Sequence, residues 1–235
     1  MQIFYAPGIT GDHWTLDARE SKHCIRVLRM KKGTLLRLID GKGNLYEGEI
    51  DEPDQNSCGI RILKVIHGFE RRNYRLHIAI SPLKNPERFE WFTEKSVEIG
   101  VDEITPLISR NSEKPNIKKE RLNGIIISAM KQSIKSYLPV LNDPVRFDDF
   151  IHNDNSGTKM IAHCNEMVEV KKSIADTYHK NENALILIGP EGDFDAEEVR
   201  SAIKNGFHPV HLGASRLRTE TAGIAACHSI YFLNQ

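Results

Sequence analysis

The chain has 235 residues, 40% hydrophobic and 27% charged, and its 32 basic and 32 acidic residues leave no formal net charge. It is long enough for one large or two modest domains with a proper core, and its neutral balance excludes an overall charge signature of nucleic-acid binding. The four cysteines form no C-x-x-C pair, and no run approaches the roughly 18 apolar residues of a membrane span, so we expect a cytoplasmic, reduced protein without a metal site.

The first 69 residues carry short apolar or alternating runs, which predict β-strands. The runs cover residues 35–39, 45–50 and 59–66, and turn signals separate them at 40–43 and 51–57. Short strands at this spacing predict a small β-barrel. The polar segment 68–73 follows and predicts a boundary between two domains, 1–70 and 71–235.

A local basic patch interrupts this β-rich region. From Arg19 to Arg37 there are seven basic residues and the single acid Glu20. Such a cluster in a neutral protein is of the kind that phosphates attract. The alternative is a solvated amphipathic helix with Ile25 and Leu28 facing inward and the bases outward, and the sequence leaves both open.

The second domain begins with an apolar strand at residues 76–80. Residues 85–86 (Asn-Pro) and Gly100 then predict the start and stop of a helix. On this helix Phe89, Phe92 and Ile99 are expected to face the core. A further strand is predicted at 104–107.

Residues 117–137 keep the 3.6-residue apolar period of an amphipathic helix, and Pro139 ends the pattern. Lys131 and Lys135 lie four residues apart beside Gln132. Like charges at this spacing reduce helix stability, a cost that a bound phosphate would offset.

Strand–loop–helix units end the chain. A strand at 160–162 runs into a polar turn through Glu166, and a strand at 184–188 leads into the loop 189–193 and a helix with a capping box at Asp195 and Glu198. A strand at 208–212 leads into the loop 213–221 and a small-residue helix from Ala222. Parallel strands place these loops at one carboxyl edge of a sheet, where open α/β sheets bind ligands.

Each of these loops taken alone could be a plain helix start. Four charged side chains argue against that for the pair: Glu191, Asp193, Arg218 and Glu220 stand where ordinary turns need no charge. No strand is followed by G-x-G-x-x-G or G-x-x-x-x-G-K-[ST], so a dinucleotide or nucleoside triphosphate ligand is disfavoured.

The same loops carry a family resemblance. The motifs L-I-G-P-E-G-D-F and L-G-x-x-x-L-R-T-E-T-A, with the earlier H-x-x-R-V-L-R and K-x-x-E-I-G segments, resemble the bacterial ribosomal RNA small-subunit methyltransferase E family of the SPOUT superfamily. The resemblance implies an N-terminal PUA-like RNA-binding β-barrel, an α/β domain whose mostly parallel sheet is tied in a trefoil knot, and a homodimer. It also implies methyl transfer from S-adenosylmethionine to N3 of one uridine in 16S ribosomal RNA, within the small ribosomal subunit.

The resemblance also implies the site residues. Arg218 would steady the uracil as N3 loses its proton, and Glu220, with Glu191 second, would accept that proton. The cofactor would be held by residues of the three loops: His163, Ile188, Gly189, Glu191, Gly192, Leu212, Gly213, Leu217, Thr219, Thr221 and Ala222. RNA would be bound by a second set: Lys22, His23, Arg26, Arg29, Gln132 and Lys135.

The chain departs from the family pattern at two places. The family shows an acid before Gln-Ser and an arginine a little later, where this chain has Lys131 and Lys135. The family also shows a second glycine in its G-P-E-G-G loop, where this chain has Asp193, and we therefore leave Asp193 out of the expected site.

Two other functions remain open at this point. One is a non-catalytic RNA-binding factor of ribosome assembly, which cofactor titration would separate from an enzyme. The other is a related SPOUT enzyme that acts on transfer RNA or a ribose 2′-oxygen, which a nucleoside digest after methylation would reveal.

Overall fold

The computed structural model describes residues 2–112, 117–153, 156–165 and 170–235, so Glu166, the end of the turn predicted after residue 162, lies outside it. The chain forms two compact units: residues 1–71 with 130–138, and residues 72–129 with 139–235. In the described ranges, no helix is both long and apolar enough to cross a membrane.

A five-stranded sheet forms the first unit. Its strands are β1 (Ile3–Tyr5), β2 (His13–Thr15), β3 (Leu35–Ile39), β4 (Asn44–Glu52) and β5 (Gly59–His67). The order is β1-β3-β4-β5-β2, and only the β1–β3 pair is parallel. Phe4, Leu36 and Ile60 are fully buried in its core. The three strands predicted from apolar runs are confirmed.

The basic segment forms helix α1 (Ala18–Lys22) and then a π-helical turn at His23–Val27. The backbone N–H of Leu28 donates to the carbonyl of His23 at 3.0 Å, which closes the wider turn. This turn shifts the buried face to Ser21 and Cys24 and leaves Leu28 36% exposed. Of the alternative with Ile25 and Leu28 facing inward, Ile25 packs against the core as described and Leu28 does not.

Helix α3 (Lys119–Gln132) ends five residues before the predicted end at Tyr137. Ile134 has a φ of 58°, and the carbonyl of Ser136 accepts a 2.9 Å hydrogen bond from the backbone N–H of Gly43. This contact with a distant segment replaces the continuation of the helix that the apolar period predicted. Lys135 therefore lies beyond the helix, so the predicted like-charge cost within one helix does not arise.

The second unit is an α/β layer around parallel strands. Its strands are β6 (Leu76–Ile80), β7 (Glu103–Ile108), β8 (Val140–Leu141), β9 (Val145–Arg146), β10 (Thr158–Ala162), β11 (Lys172–Ser173), β12 (Ala184–Ile188) and β13 (His208–His211). The order is β11-β13-β10-β12-β6-β7-β8, with β9 also paired to β7. Every strand pair recorded within the described part of this unit is parallel.

Helices cover this sheet. They are α2 (Pro86–Ile99), α4 (Phe147–Ile151), α5 (Ile174–Thr177), α6 (Ala196–Lys204) and α7 (Thr219–Leu233). The Asn85 side chain caps α2, and Gly100 follows its last turn with a φ of 122°, as predicted. Phe89 and Phe92 are buried as predicted, whereas Ile99 is only half-buried. The α/β class with a parallel sheet is confirmed.

Two helical glycines of this fold are expected to have opposite effects on stability when replaced by alanine. A Cβ at Gly223 of α7 would lie 2.5 Å from the Phe92 ring and 2.9 Å from Ile80, whereas a Cβ at Gly124 of α3 would meet nothing within 4 Å. Overpacking costs about 1–3 kcal/mol, and replacing glycine by alanine in a helix gains up to about 1 kcal/mol.

We therefore expect Gly223→Ala to lower the free energy of unfolding by up to about 2 kcal/mol, because overpacking outweighs the helical gain. The control Gly124→Ala should raise it by about 0.5–1 kcal/mol, since only the helical gain applies. Denaturant titration of both variants measures the two changes. A Gly223→Ala protein as stable as Gly124→Ala would contradict the close packing of α7.

Candidate active site

Three loops meet at the carboxyl edge of the parallel sheet. They follow β10, β12 and β13, which are neighbours in the order β13-β10-β12. The loops surround an open cavity of about 960 Å³, a size typical of small-molecule sites. The predicted placement of these loops at one sheet edge is confirmed, with β10 between the other two strands.

Most of the predicted catalytic and cofactor residues meet in this cavity. Its wall contains eleven of the thirteen: His163, Ile188, Gly189, Glu191, Gly192, Leu212, Gly213, Leu217, Arg218, Thr219 and Ala222. Glu220 and Thr221 are not in the wall. Both residues belong to the first turn of helix α7, which begins earlier than predicted.

Helix α7 begins at Thr219, three residues before the predicted start at Ala222, and Arg218 is its N-cap. The hydroxyl of Thr219 donates a 3.0 Å hydrogen bond to the carbonyl of Gly189, which ties the helix start to the loop after β12. An acid in the first turn is favoured by the helix dipole, and Glu220 occupies that place. The prediction that residues 219–221 are loop is therefore wrong.

Arg88 joins the two acidic residues predicted near the site. From the first turn of α2, its Nη1 lies 3.4 Å from Glu191 Oε1 and its Nε lies 3.8 Å from Glu220 Oε1. Glu220 is 7% exposed, and its Oε2 makes no hydrogen bond with the described residues. Arg88 also lines the cavity. The sequence did not indicate Arg88, because a basic residue in a first helical turn is unremarkable on its own.

Arg218 has a different environment. Its side chain is exposed in the cavity wall, and its guanidinium forms no ion pair within the described part of the chain. A purely structural role for Arg218 would be an ion pair with Glu191 or Glu220, and Arg88 makes those pairs instead. The Arg218 guanidinium therefore remains available to a ligand.

His163 directly follows β10 and has a buried imidazole. It is 5% exposed, and neither ring nitrogen makes a hydrogen bond of normal geometry with the described residues. Burial lowers the pKa of His163, and the nearby Lys171 ammonium lowers it further, against the weaker opposing effects of Asp193 and the Asn165 backbone. The lowered pKa favours the neutral imidazole at pH 7, and His163 lies in the cavity wall.

Asp193, left out of the expected site, also lies in this wall. Its backbone has a φ of 64°. One carboxylate oxygen accepts a 2.8 Å hydrogen bond from the backbone N–H of Cys164, and the other accepts one at 2.9 Å from Phe194. Asp193 thus links the loop after β12 to the loop after β10.

The predicted RNA-binding residues all lie in the first unit: Lys22, His23, Arg26, Arg29, Gln132 and Lys135. These residues come from two segments, 22–29 and 131–135, and Phe4 lies near both. The centroid of its ring is 6.4 Å from that of His23 and 5.9 Å from the Lys131 ammonium. Arg26 and Arg29 are exposed. Lys131 pairs with Glu20, and Lys135 lies 3.4 Å from Glu70.

The fold and the site together define a class of protein. A parallel α/β unit with a small-molecule cavity at its carboxyl edge, and a separate β-rich unit with an exposed basic segment, are typical of cofactor-dependent enzymes that act on nucleic acids. Family models agree with both parts. An RNA methyltransferase domain model matches residues 70–231, and an RNA methyltransferase PUA domain model matches residues 16–63.

Individual relatives are consistent with these matches. The chain is 34% identical to the ribosomal RNA small subunit methyltransferase E of Mesomycoplasma hyopneumoniae, over 72% of this chain and 74% of that protein. A solved structure described as a probable rRNA-methyltransferase from Porphyromonas gingivalis has 44% identity and a TM-score of 0.94, over 100% and 98% of the two chains. The ribosomal RNA small subunit methyltransferase E of Neisseria gonorrhoeae, bound to S-adenosyl methionine, has 26% identity and a TM-score of 0.88, over 100% and 98%.

The chain therefore belongs to the RNA methyltransferase family and, within it, to the ribosomal RNA small subunit methyltransferase E proteins. The family prediction made from the loop motifs is confirmed. So is the prediction that the protein is a methyltransferase.

Proposed function

We propose that this protein transfers a methyl group from S-adenosylmethionine to N3 of one uridine in 16S ribosomal RNA. The observation that carries the proposal is the cavity at the carboxyl edge of the sheet, where residues from three separate loops converge. The names of the relatives support small-subunit ribosomal RNA as the substrate, and the ligand of the Neisseria gonorrhoeae protein supports the cofactor.

The cavity residues fit this cofactor. The buried imidazole of His163 is part of the cavity wall and lies within reach of a ligand there. Gly213 has a φ of 107° and no atom within 4 Å of its Cβ position, so its backbone can approach a ligand closely. When bound, S-adenosylmethionine supplies an electrophilic methyl group on a sulfonium.

Residues of the protein then stabilise the charge that develops on the uracil and accept its proton. N3 of uridine must lose its proton, and negative charge develops on the ring as it does so. The free guanidinium of Arg218 is suited to stabilise that charge, since it faces no competing carboxylate in the described residues. We assign the proton acceptor to Glu220, whose Oε2 has no hydrogen-bond partner there, and Glu191 in the cavity wall is the second candidate.

Binding of the RNA is assigned to the first unit, through its exposed basic segment and the neighbouring residues 130–138. We expect the double substitution of Arg26 and Arg29 by alanine to weaken RNA binding and leave cofactor affinity unchanged. If each contacts one phosphate of single-stranded RNA, the slope of log K against log salt should fall in magnitude by about 1.4, at roughly 0.7 per phosphate.

A matched control removes the same charge elsewhere. Arg200 and Lys204 are exposed on α6 of the second unit, and their replacement by alanine should leave the salt slope nearly unchanged. Filter binding or anisotropy across a series of salt concentrations measures both slopes. Equal slopes for the two double variants would mean that Arg26 and Arg29 serve the fold of the first unit and not the RNA.

The finer expectations about assembly and location belong to the same proposal. We assign the protein to the cytoplasm, as a homodimer that acts on the small ribosomal subunit, with a trefoil knot in residues 71–235 and a PUA-like barrel in residues 1–70. β13 follows β12 in the chain but pairs with β10, on the side of β10 opposite to β12. This strand order is compatible with a knot. His228 and Phe232 on the exposed side of α7 favour a protein contact there, and sedimentation at a single-chain mass of 26.7 kDa would contradict the dimer.

A methylation assay followed by a nucleoside digest tests the function. The purified protein is incubated with methyl-labelled S-adenosylmethionine and either small subunits or their free RNA, and the digest is resolved by mass spectrometry. We expect label in 3-methyluridine. Label in a ribose-methylated nucleoside, or in transfer RNA only, would indicate the related enzyme, and failure to bind the cofactor would indicate the assembly factor.

A further inference from the structure

One side chain joins two of the loops that form the cavity wall. Cys164, in the loop after β10, and Asp193, in the loop after β12, both line the cavity. The Asp193 carboxylate accepts the 2.8 Å hydrogen bond from the backbone N–H of Cys164. Because the acceptor is charged, this is a strong type of hydrogen bond to the backbone.

The backbone conformation makes aspartate a costly choice as a plain turn residue. Asp193 has a φ of 64°, a region that glycine occupies freely and other residues occupy at a cost in free energy. If the turn alone mattered, glycine would serve it better. Aspartate at this position is explained by what its carboxylate holds.

The turn itself has anchors that do not need the carboxylate. The backbone N–H of Asp193 donates to the carbonyl of Pro190 at 2.9 Å, and Asn111 Nδ2 donates to the carbonyl of Asp193 at 3.1 Å. Both bonds use backbone atoms of residue 193. Glycine at this position would therefore keep both anchors of the turn and lose the carboxylate, with its link to Cys164 and its local bond to the backbone N–H of Phe194.

We propose that Asp193 is a positioning residue for cofactor binding, which fastens the loop after β10 to the loop after β12 and fixes the cavity wall before the ligand arrives. Preorganisation of this kind raises affinity, because the loop is already ordered and ligand binding does not have to supply the free energy of ordering it. His163, adjacent to Cys164, is held in the wall by the same link. The role rests on the proposed function for the identity of the ligand, S-adenosylmethionine.

The test is Asp193→Gly. We expect a melting temperature equal to or above that of the wild type, since glycine relieves the backbone strain. We also expect about tenfold weaker binding of both S-adenosylmethionine and S-adenosylhomocysteine in titration calorimetry. In steady-state assays the KM for S-adenosylmethionine should rise by about the same factor, with kcat within about twofold.

A readout that needs no ligand accompanies these measurements. Amide hydrogen exchange at Cys164, followed by NMR in the free protein, should be at least about tenfold faster in Asp193→Gly than in the wild type. Asn181→Gly is the matched control, because Asn181 also has a positive φ, of 73°, and lies outside the cavity. That variant should change neither the exchange of Cys164 nor the affinity for either ligand.

Several outcomes would overturn the proposal. Unchanged affinity for both ligands in Asp193→Gly would show that the link is not needed for binding. A loss confined to S-adenosylmethionine would show that the carboxylate acts by its charge on the sulfonium and not by positioning the loop. If the wild-type protein binds neither ligand, the proposed function fails, and unchanged exchange at Cys164 would separately refute the link.

Discussion

Arg218→Ala is expected to lose at least about a hundred-fold in single-turnover methyl transfer, with its melting temperature and cofactor affinity unchanged. The reason is the environment of the guanidinium, which is exposed in the cavity wall without an ion-pair partner among the described residues. Loss of a comparable preorganised donor costs roughly 2.7–4 kcal/mol, or about a hundred- to a thousand-fold in rate. A structural role at the loop rim would be worth only about 0–1 kcal/mol.

The structure weakens the structural alternative in a specific way. A rim pair would need Glu191 or Glu220 as the partner of Arg218, but Arg88 pairs with both, at 3.4 and 3.8 Å. Arg200, exposed on α6 and outside the cavity wall, provides a matched control, and Arg200→Ala should stay within a few-fold of the wild-type rate. Single-turnover conditions are required because slow product release could hide a defect in the chemical step. Equal rates for the two variants, or unfolding of Arg218→Ala, would contradict a catalytic role for Arg218.

Gly213→Val is expected to weaken S-adenosylmethionine binding by at least about a hundred-fold, or roughly 2.7 kcal/mol. The φ of Gly213 is 107°, a conformation that a β-branched side chain cannot adopt without strain. No atom lies within 4 Å of the Cβ position, so the loop is free to relax, and relaxation would move its backbone away from the ligand. The fold should survive, because residues 213–216 are exposed.

Gly206→Val is the control for the backbone effect alone. Gly206 follows α6 with a φ of 83°, and its Cβ would make only an ordinary 3.6 Å contact with the Lys159 side chain. This variant should lose stability through the same kind of strain and keep its cofactor affinity. Titration calorimetry on both variants separates the two effects, and unchanged affinity in Gly213→Val would remove the loop after β13 from the cofactor site.

The strands and loops of the site were predictable from sequence because their signals are local. The apolar run of β12, the turn at 189–193 and the capping box of α6 each depend on neighbouring residues, and all three are present in the structure. Parallel strands then place their loops together without further information. This is why eleven of thirteen expected residues share one cavity.

The parts that sequence missed depend on contacts between distant segments. Helix α3 ends early because Ser136 pairs with Gly43, and α7 begins early because the hydroxyl of Thr219 bonds to Gly189. Arg88 lies 103 positions before Glu191, so no local pattern could associate the two. Helical periodicity and turn propensity depend on neighbouring residues and cannot predict such long-range contacts.

The central claim is that this protein methylates N3 of one uridine in small-subunit ribosomal RNA. Mass spectrometry of that RNA from cells that lack the protein tests it most directly. We expect one 3-methyluridine to be absent, restored by the wild-type gene and not by Arg218→Ala. A complete set of methylated uridines in the RNA of those cells, or the loss of a different modified nucleoside, would contradict the claim.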